Sequence, residues 1–180
     1  MAAVKELLGS KEVNVLINEV ADHILNDIED IERFAIVGIQ GGGIELAERI
    51  RLIIEQKTGK NLNHGTIDIT FYRDDLATRG ILPVIKETKI DFNITKKTIL
   101  LVDDVIFTGR SVKAALETLM SFGRPSKISL FCLIDRGHRE LPIQPDYCGM
   151  KISEGSIEDN VKVYLYPEDM SKDAVLIERN

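Results

Sequence analysis

Two neighbouring carboxylates, Asp103 and Asp104, follow the apolar run Thr98 to Val102, and Val105-Ile106-Phe107 separates them from Thr108-Gly109-Arg110-Ser111. Adjacent carboxylates can accept hydrogen bonds from a pair of vicinal hydroxyls. A small-residue turn that opens a helix offers hydroxyls and backbone N–H groups to a phosphate at the positive end of the helix dipole. A ribose 5-phosphate carries both kinds of group, one at each end. A second turn of this kind, Gln40-Gly41-Gly42-Gly43, follows the apolar run Phe34 to Ile39. Three consecutive glycines cost conformational entropy, so a chain keeps them where backbone approaches a ligand or takes unusual dihedrals. The spacing is neither that of a dinucleotide fingerprint nor that of a Walker loop.

The elements that must hold these turns can be read from hydrophobic periodicity. Thr98–Val102 and Phe34–Ile39 are uninterrupted apolar runs, as expected of strands buried on both faces. Each turn leads into a helical pattern: Ile44, Ala47, Ile50, Ile53 and Ile54 after the first, and Val112, Ala115, Leu116 and Leu119 after the second. Gly123 is placed to end the latter helix, with Pro125 just beyond. Residues 11–28 form an amphipathic helix, its stripe made by Val13, Leu16, Ile17, Val20, Ile24 and Ile28, with Ser10 as N-cap. Residues 57–65 read as a polar turn, and 66–72 alternate as a half-buried strand. From Arg73 to about Lys97 no strong helical period appears, and this stretch is expected to be a lid loop with a short hairpin. Lys127–Ile134 is the next strand, ending at Asp135-Arg136-Gly137-His138-Arg139. Short strands follow at 147–152, 161–166 and 174–178. Alternating strands and helices imply an α/β fold with a central parallel sheet, and ligands then collect beyond the carboxyl ends of its strands. The segment from Asp135 should therefore lie beside Asp103 and the glycine turn.

The chain has 180 residues, 44% hydrophobic and 29% charged, which suits one domain, 1–180. No apolar run approaches the roughly 20 residues that span a bilayer, and the N-terminus lacks the pattern of a signal peptide. Cys132 and Cys148 have no metal-ligand spacing. A cytoplasmic location with no membrane partner is the expectation. The net charge of −6 argues against broad electrostatic attraction to nucleic acid, though not against a local basic patch.

The stretch TILLVDDVIFTGRS resembles the phosphoribosyl pyrophosphate (PRPP) motif of the type I phosphoribosyltransferases. A response-regulator receiver domain, which also opens on an acidic pair, is excluded. It needs several further βα units after that pair, and here a single clear helix follows. ITFYRDDL (69–76), GRPSKI (123–128) and DRGHRELPIQPDYCGMKI (135–152) further resemble the PyrR family, attenuation regulators of pyrimidine operons with uracil phosphoribosyltransferase activity. The agreement in order and spacing runs from about Val13 to Ile177.

This resemblance implies a type I phosphoribosyltransferase fold: a central parallel sheet flanked by helices, a small hood mainly from 135–180, and a flexible lid loop at about 73–97. It implies formation of UMP and pyrophosphate from uracil and PRPP with Mg2+. Asp103 and Asp104 would hold the ribose hydroxyls, Val105, Ile106 and Phe107 would line the site, and Thr108, Gly109, Arg110 and Ser111 would bind the 5′-phosphate. Gln40, Gly41, Gly42 and Gly43 would form the pyrophosphate loop, with Arg73 assisting from the lid. Asp135, Arg136, Gly137 and His138 would face the base, and Asp135 would take Mg2+ directly or through water. UMP and UTP would be further ligands, and the assembly a homodimer or higher homo-oligomer.

Two departures from the family pattern bear on function. Family members often carry a basic residue and then Thr-Arg-Gly in the pyrophosphate loop, where this chain has Gln40-Gly41-Gly42-Gly43. RNA-regulating relatives present basic and polar residues on the first helix, where this chain has Glu19, Asp22, Asn26 and Asp27. Arg139 and Lys151 remain as RNA contacts, so pyrimidine-operon leader RNA is expected to bind weakly or not at all. The alternative to the enzyme is a nucleotide-sensing, RNA-binding regulator with little or no transferase activity.

Overall fold

The computed structural model describes residues 3–69, 87–152 and 158–179. Its centre is a five-stranded parallel sheet. The strands are β2 (Phe34–Ile39), β3 (Asn63–Ile67), β4 (Thr98–Ile106), β5 (Lys127–Asp135) and β6 (Tyr147–Lys151), in the order β3-β2-β4-β5-β6. Among the described residues, three helices flank it: α1 (Ser10–Asp27), α2 (Gly42–Thr58) and α3 (Arg110–Ser121). A second, antiparallel sheet of β1 (Ala3–Leu8), β7 (Asn160–Tyr164) and β8 (Ala174–Arg179), in the order β1-β8-β7, forms the hood.

The pleat divides the apolar strands between two cores, because successive side chains point to opposite faces. Ile36, Leu100, Val102, Phe131 and Leu133 pack on one face with the stripes of α1 and α2 and with Val175 and Ile177 of the hood. Ala35, Val37, Ile99, Leu101, Leu130 and Cys132 pack on the other with Val112, Ala115 and Leu119 of α3. This two-sided burial is why these strands read as continuous apolar runs rather than alternating ones.

Several boundaries differ from the sequence reading, each for a local reason. The N-cap of α1 is Gly9, not Ser10, and its N–H is taken by Glu12 Oε2 at 3.1 Å. A glutamate three residues into the helix thus supplies half of a capping box. Gly59, at φ 68°, ends α2, and the Leu62 N–H donates to Glu55 Oε1 at 2.7 Å. That tie turns the chain early, so β3 starts at Asn63 within the expected turn and runs parallel to β2, with Ala35 opposite Asn63. Ile67 and Ile69 are buried as their alternation implied. Residues 70–86, including Arg73 and most of the expected lid, lie outside the described residues. The chain returns at Lys89, which exchanges two 2.8 Å backbone hydrogen bonds with Thr66. Ile94 is then fully buried, so the C-terminal part of the segment read as lid packs on the sheet. The stretch 147–152, read only as a short tail strand, is the edge of the central sheet, pairing parallel with β5.

The N-terminal strand β1 pairs with β8 at the other end of the chain. One buried ionic cluster ties the hood to the core. Arg49 on α2 donates to both carboxylate oxygens of Asp173, to the Tyr166 carbonyl at 3.2 Å and to Glu45 at 2.7 Å. Asp173 Oδ1 also accepts the Tyr166 N–H at 2.8 Å. Removing one member of a buried pair leaves the other charge uncompensated. Arg49→Met is therefore expected to lower the unfolding free energy by about 3–5 kcal/mol, read by urea denaturation. A loss below about 1 kcal/mol would show that this cluster does not hold the hood.

Candidate active site

β2 and β4 are neighbours in parallel register, from Phe34 opposite Thr98 to Gly38 opposite Val102. The two turns singled out above therefore emerge side by side at the carboxyl edge of the sheet. β4 continues through the acidic pair to Ile106. Asp103 is buried, and its Oδ1 accepts the Asp104 N–H at 3.0 Å. Asp104 is half-buried, and its Oδ1 accepts the Val105 N–H at 3.0 Å.

The glycine turn is pressed against this pair. A methyl group at Gly42 would lie 2.8 Å from Cβ and Cγ of Asp104, and one at Gly43 would lie 2.6 Å from the Val102 carbonyl oxygen. Gly41, the N-cap of α2, has φ 120°, which favours glycine. The three glycines thus bring the start of α2 onto the end of β4. The α3 turn has its own glycine: Gly109 caps that helix at φ 91°, and Thr108 Oγ1 accepts the Arg110 N–H at 3.3 Å. Two helix N-termini, each with partial positive charge and N–H groups that lack an intrahelical acceptor, flank the carboxylates.

The loop after β5 lies along the segment after β4. The Arg136 N–H donates to the Ile106 carbonyl at 2.9 Å, and the Glu140 and Leu141 N–H groups donate to the Thr108 carbonyl at 3.0 and 3.2 Å. The Arg136 guanidinium carbon stands 4.0 Å from the Phe107 ring centroid, a cation–π contact, and its Nη2 donates to the Asp159 carbonyl. Burial, offset in part by Asp159, depresses the Arg136 pKa, but a guanidinium stays charged. Two clefts meet here. One, of about 650 Å³, is lined by the segment from Val105 to Val112 with Asp103, Arg136, Glu140 and Asn160. The other, of about 370 Å³, is lined by Gln40, Asp103, Asp104 and the hood strand β7.

Asp103, Asp104, Val105 to Ser111, Gln40 and Arg136 are thus brought together around the two clefts. Gly42 and Gly43 lie directly against Asp104 and the end of β4, and Gly41 caps the helix that they begin. Asp135 departs from expectation: it lines neither cleft, and its Oδ1 accepts the Gly137 N–H and an Arg139 N–H, both at 2.8 Å. A buried carboxylate is stabilised by such donors, and the tight turn after β5 supplies them. Gly137 and His138 also line neither cleft, and the exposed His138 meets Phe107 edge-on, with ring centroids 6.1 Å apart. Arg139, expected on an RNA surface, is instead turned inward with 11% of its side chain exposed. Lys151 is exposed at the end of β6.

Sequence reasoning missed Asn160, which lines both clefts, and Lys162, which lines the smaller one. No local signal marks them, because only the hood sheet carries β7 over the acidic pair. Among the described residues, no group of three His, Cys, Asp or Glu side chains converges as a protein-only metal site, and no helix is long and apolar enough to cross a membrane.

A parallel sheet with a carboxylate pair between two helix-opening turns is the arrangement of a phosphoribosyltransferase domain, and the family model described as "Phosphoribosyl transferase domain" matches residues 3–168. Among solved structures, the hypoxanthine phosphoribosyltransferase of Trypanosoma cruzi shares the fold with a TM-score of 0.70, covering 98% of this chain and 97% of that one at 17% identity. Among curated proteins, the bifunctional protein PyrR of Caldicellulosiruptor bescii is 47% identical over 152 residues, 84% of each chain. That of Nostoc punctiforme is 44% identical over 174 residues, 97% of this chain and 96% of the relative. The chain belongs to the PyrR family of phosphoribosyltransferase domains.

The packing of Gly42 against Asp104 generates one prediction. Gly42→Ala forces the carboxylate aside and is expected to weaken PRPP binding about tenfold or more, a change of about 1.4 kcal/mol. Asp104→Asn should do the same with an unchanged melting temperature. Unaltered affinity and activity in both variants would place the ribose elsewhere.

Proposed function

We propose that the chain transfers the phosphoribosyl group of PRPP to uracil, giving UMP and pyrophosphate in the cytoplasm. The observation that carries this reading is the position of Asp103 and Asp104 between two helix N-termini. In that reading the α3 turn receives the 5′-phosphate, the carboxylates accept the ribose hydroxyls, and the turn into α2 receives the departing pyrophosphate. The bond from C1′ to the pyrophosphate oxygen breaks, a bond from uracil N1 to C1′ forms, and the N1 proton leaves to solvent.

The described site offers positioning and electrostatics rather than a covalent nucleophile. In this reading the backbone N–H groups at the two helix starts meet the phosphates from fixed positions, so little reorganisation is needed as charge develops. Phe107 and Val105 give the larger cleft apolar walls, which help keep water from the reacting carbon. The donor set suits Mg2+, an ion held by one or two carboxylates together with substrate phosphates rather than by a protein cage. Asp103 and Asp104 are the residues that would hold it, and its chemistry would be neutralisation of pyrophosphate charge. Asp135, with Oδ1 engaged twice in its own loop, is the weaker candidate.

The test is pyrophosphate release from PRPP and Mg2+ with uracil, hypoxanthine, guanine and orotate in parallel. Turnover confined to uracil is the expected result, and turnover with a purine base instead would sink the proposed specificity. The glycine loop, which lacks a side-chain cation, favours a second reading as a nucleotide sensor. UMP binding without turnover on any base would move the assignment to that function.

RNA regulation is the remaining part of the family role. The exposed face of α1 carries Glu19, Asp22, Asn26 and Asp27, and Arg139 is turned inward. An acidic face repels phosphate. Binding to a pyrimidine-operon leader RNA is expected to be weak and steeply salt-dependent, as filter binding across a salt series would show. Tight, sequence-specific binding at physiological salt would overturn that expectation.

A further inference from the structure

Arg139 makes contacts that the proposed chemistry does not use. Its Nε donates to the Ile143 carbonyl at 2.8 Å, Nη1 to the carbonyls of Phe107 at 2.8 Å and Gly137 at 3.1 Å, and Nη2 to Asp135 Oδ1 at 2.8 Å. One side chain thus joins the end of β5, both limbs of the loop that follows, and the phosphate-binding segment after β4. A guanidinium can do this because its five N–H donors are fixed in one plane. It is nearly buried, so these bonds are sheltered from competition with water.

The Phe107 bond completes a series. The carbonyls of three consecutive residues of the phosphate-binding segment are all held by the loop after β5: Ile106 by the Arg136 N–H, Phe107 by Arg139, and Thr108 by the Glu140 and Leu141 N–H groups. A trans peptide is planar, with its C=O and the next N–H pointing in opposite directions. Pinning those carbonyls toward the second loop therefore turns the N–H groups of Phe107, Thr108 and Gly109 away from it. Three successive N–H groups held to one side make a concavity that suits an anion. The first and third carbonyls are held by main chain, which any sequence could supply. The central one depends on a single side chain.

We infer that Arg139 is a positioning residue: it orients the Phe107–Thr108 peptide so that the segment after β4 receives the 5′-phosphate, without itself touching substrate. This rests on the placement of the 5′-phosphate given under the proposed function. It also gives Arg139 a role other than contact with RNA. The same phosphate is bound in substrate, transition state and product, so a disordered segment weakens all three alike. Such a loss raises KM and leaves kcat nearly unchanged.

The test compares Arg139→Met and Arg139→Lys with the wild-type chain, and with Ile24→Ala as a control that loosens α1 away from both loops. Measurements are kcat, KM for PRPP, KM for uracil, melting temperature, and Kd for UMP and ribose 5-phosphate by calorimetry. For Arg139→Met, KM for PRPP and both Kd values are expected to rise about tenfold or more. The kcat and KM for uracil should stay within about threefold. Arg139→Lys keeps the charge beside Asp135 but cannot span the separate acceptors, so it should show the same split. It serves alone if the methionine variant does not fold. Ile24→Ala should lower the melting temperature without the split. A fall in kcat at unchanged KM, or values indistinguishable from wild type, would overturn the inference. If the wild-type chain turns over no base, the Kd measurements still decide the role of Arg139, while the transfer reading fails separately. Failure of the wild-type chain to bind either phosphate ligand would overturn both.

Discussion

The parallel pairing of β2 with β4 is the constraint on which the rest of the structure depends. Neither turn is a site alone. Gln40 to Gly43 is a glycine-rich βα connection, and Thr108 to Ser111 is a small-residue one. In register from Phe34 opposite Thr98, the strands deliver the two helix starts to the same edge, with Asp103 and Asp104 at that edge. The approach is close enough that side chains at Gly42 and Gly43 would collide with Asp104 and with the β4 backbone. Glycine is required here by tertiary contact more than by local dihedral preference, Gly41 excepted.

Electrostatically the site is a compromise. A net charge of −6 and two carboxylates beside the proposed phosphate positions oppose an anionic substrate. Two helix dipoles and their N–H groups offset this over the short range at which they act. Arg110 and Arg136 line the larger cleft, where Arg110 also lies 3.4 Å from Glu140. The glycine turn has no side-chain cation, so in the proposed reading only its polar side chain and backbone donors can meet an anion. In the smaller cleft Lys162 comes from the hood, where it also pairs with Glu178 at 2.7 Å.

The hood is held by a different logic. Arg49, Glu45 and Asp173 form a largely buried ionic cluster between α2 and the chain just before β8. Such clusters add little net stability over an apolar replacement, because desolvation cancels much of the attraction. What this one supplies is geometry: Arg49 reaches the Tyr166 carbonyl, just beyond β7, and so helps set where β7 lies over the acidic pair. The loop after β5 is treated alike, with Arg139 joining acceptors that are separated in sequence. In both places a planar guanidinium fixes irregular backbone that apolar packing would leave underdetermined.

The sequence by itself determined the strands that must be buried on both faces, the helices that cover them, and the two turns that open helices. These follow from periodicity and from local preferences of glycine and of small hydroxyl residues, so Asp103, Asp104, Thr108 to Ser111 and Gln40 to Gly43 were legible without coordinates. The DRGHRELPI stretch was legible as a family signature, but its physical role was not. Only the tertiary structure decided that Asp135 and Arg139 face each other inside their loop, because whether a charged residue turns inward depends on carbonyls of distant segments. Only the tertiary structure placed β1 against β8, made β6 an edge of the central sheet, and set Asn160 over both clefts. Strand pairing between chain ends leaves no local trace, since the partner that satisfies each backbone hydrogen bond lies far away in sequence.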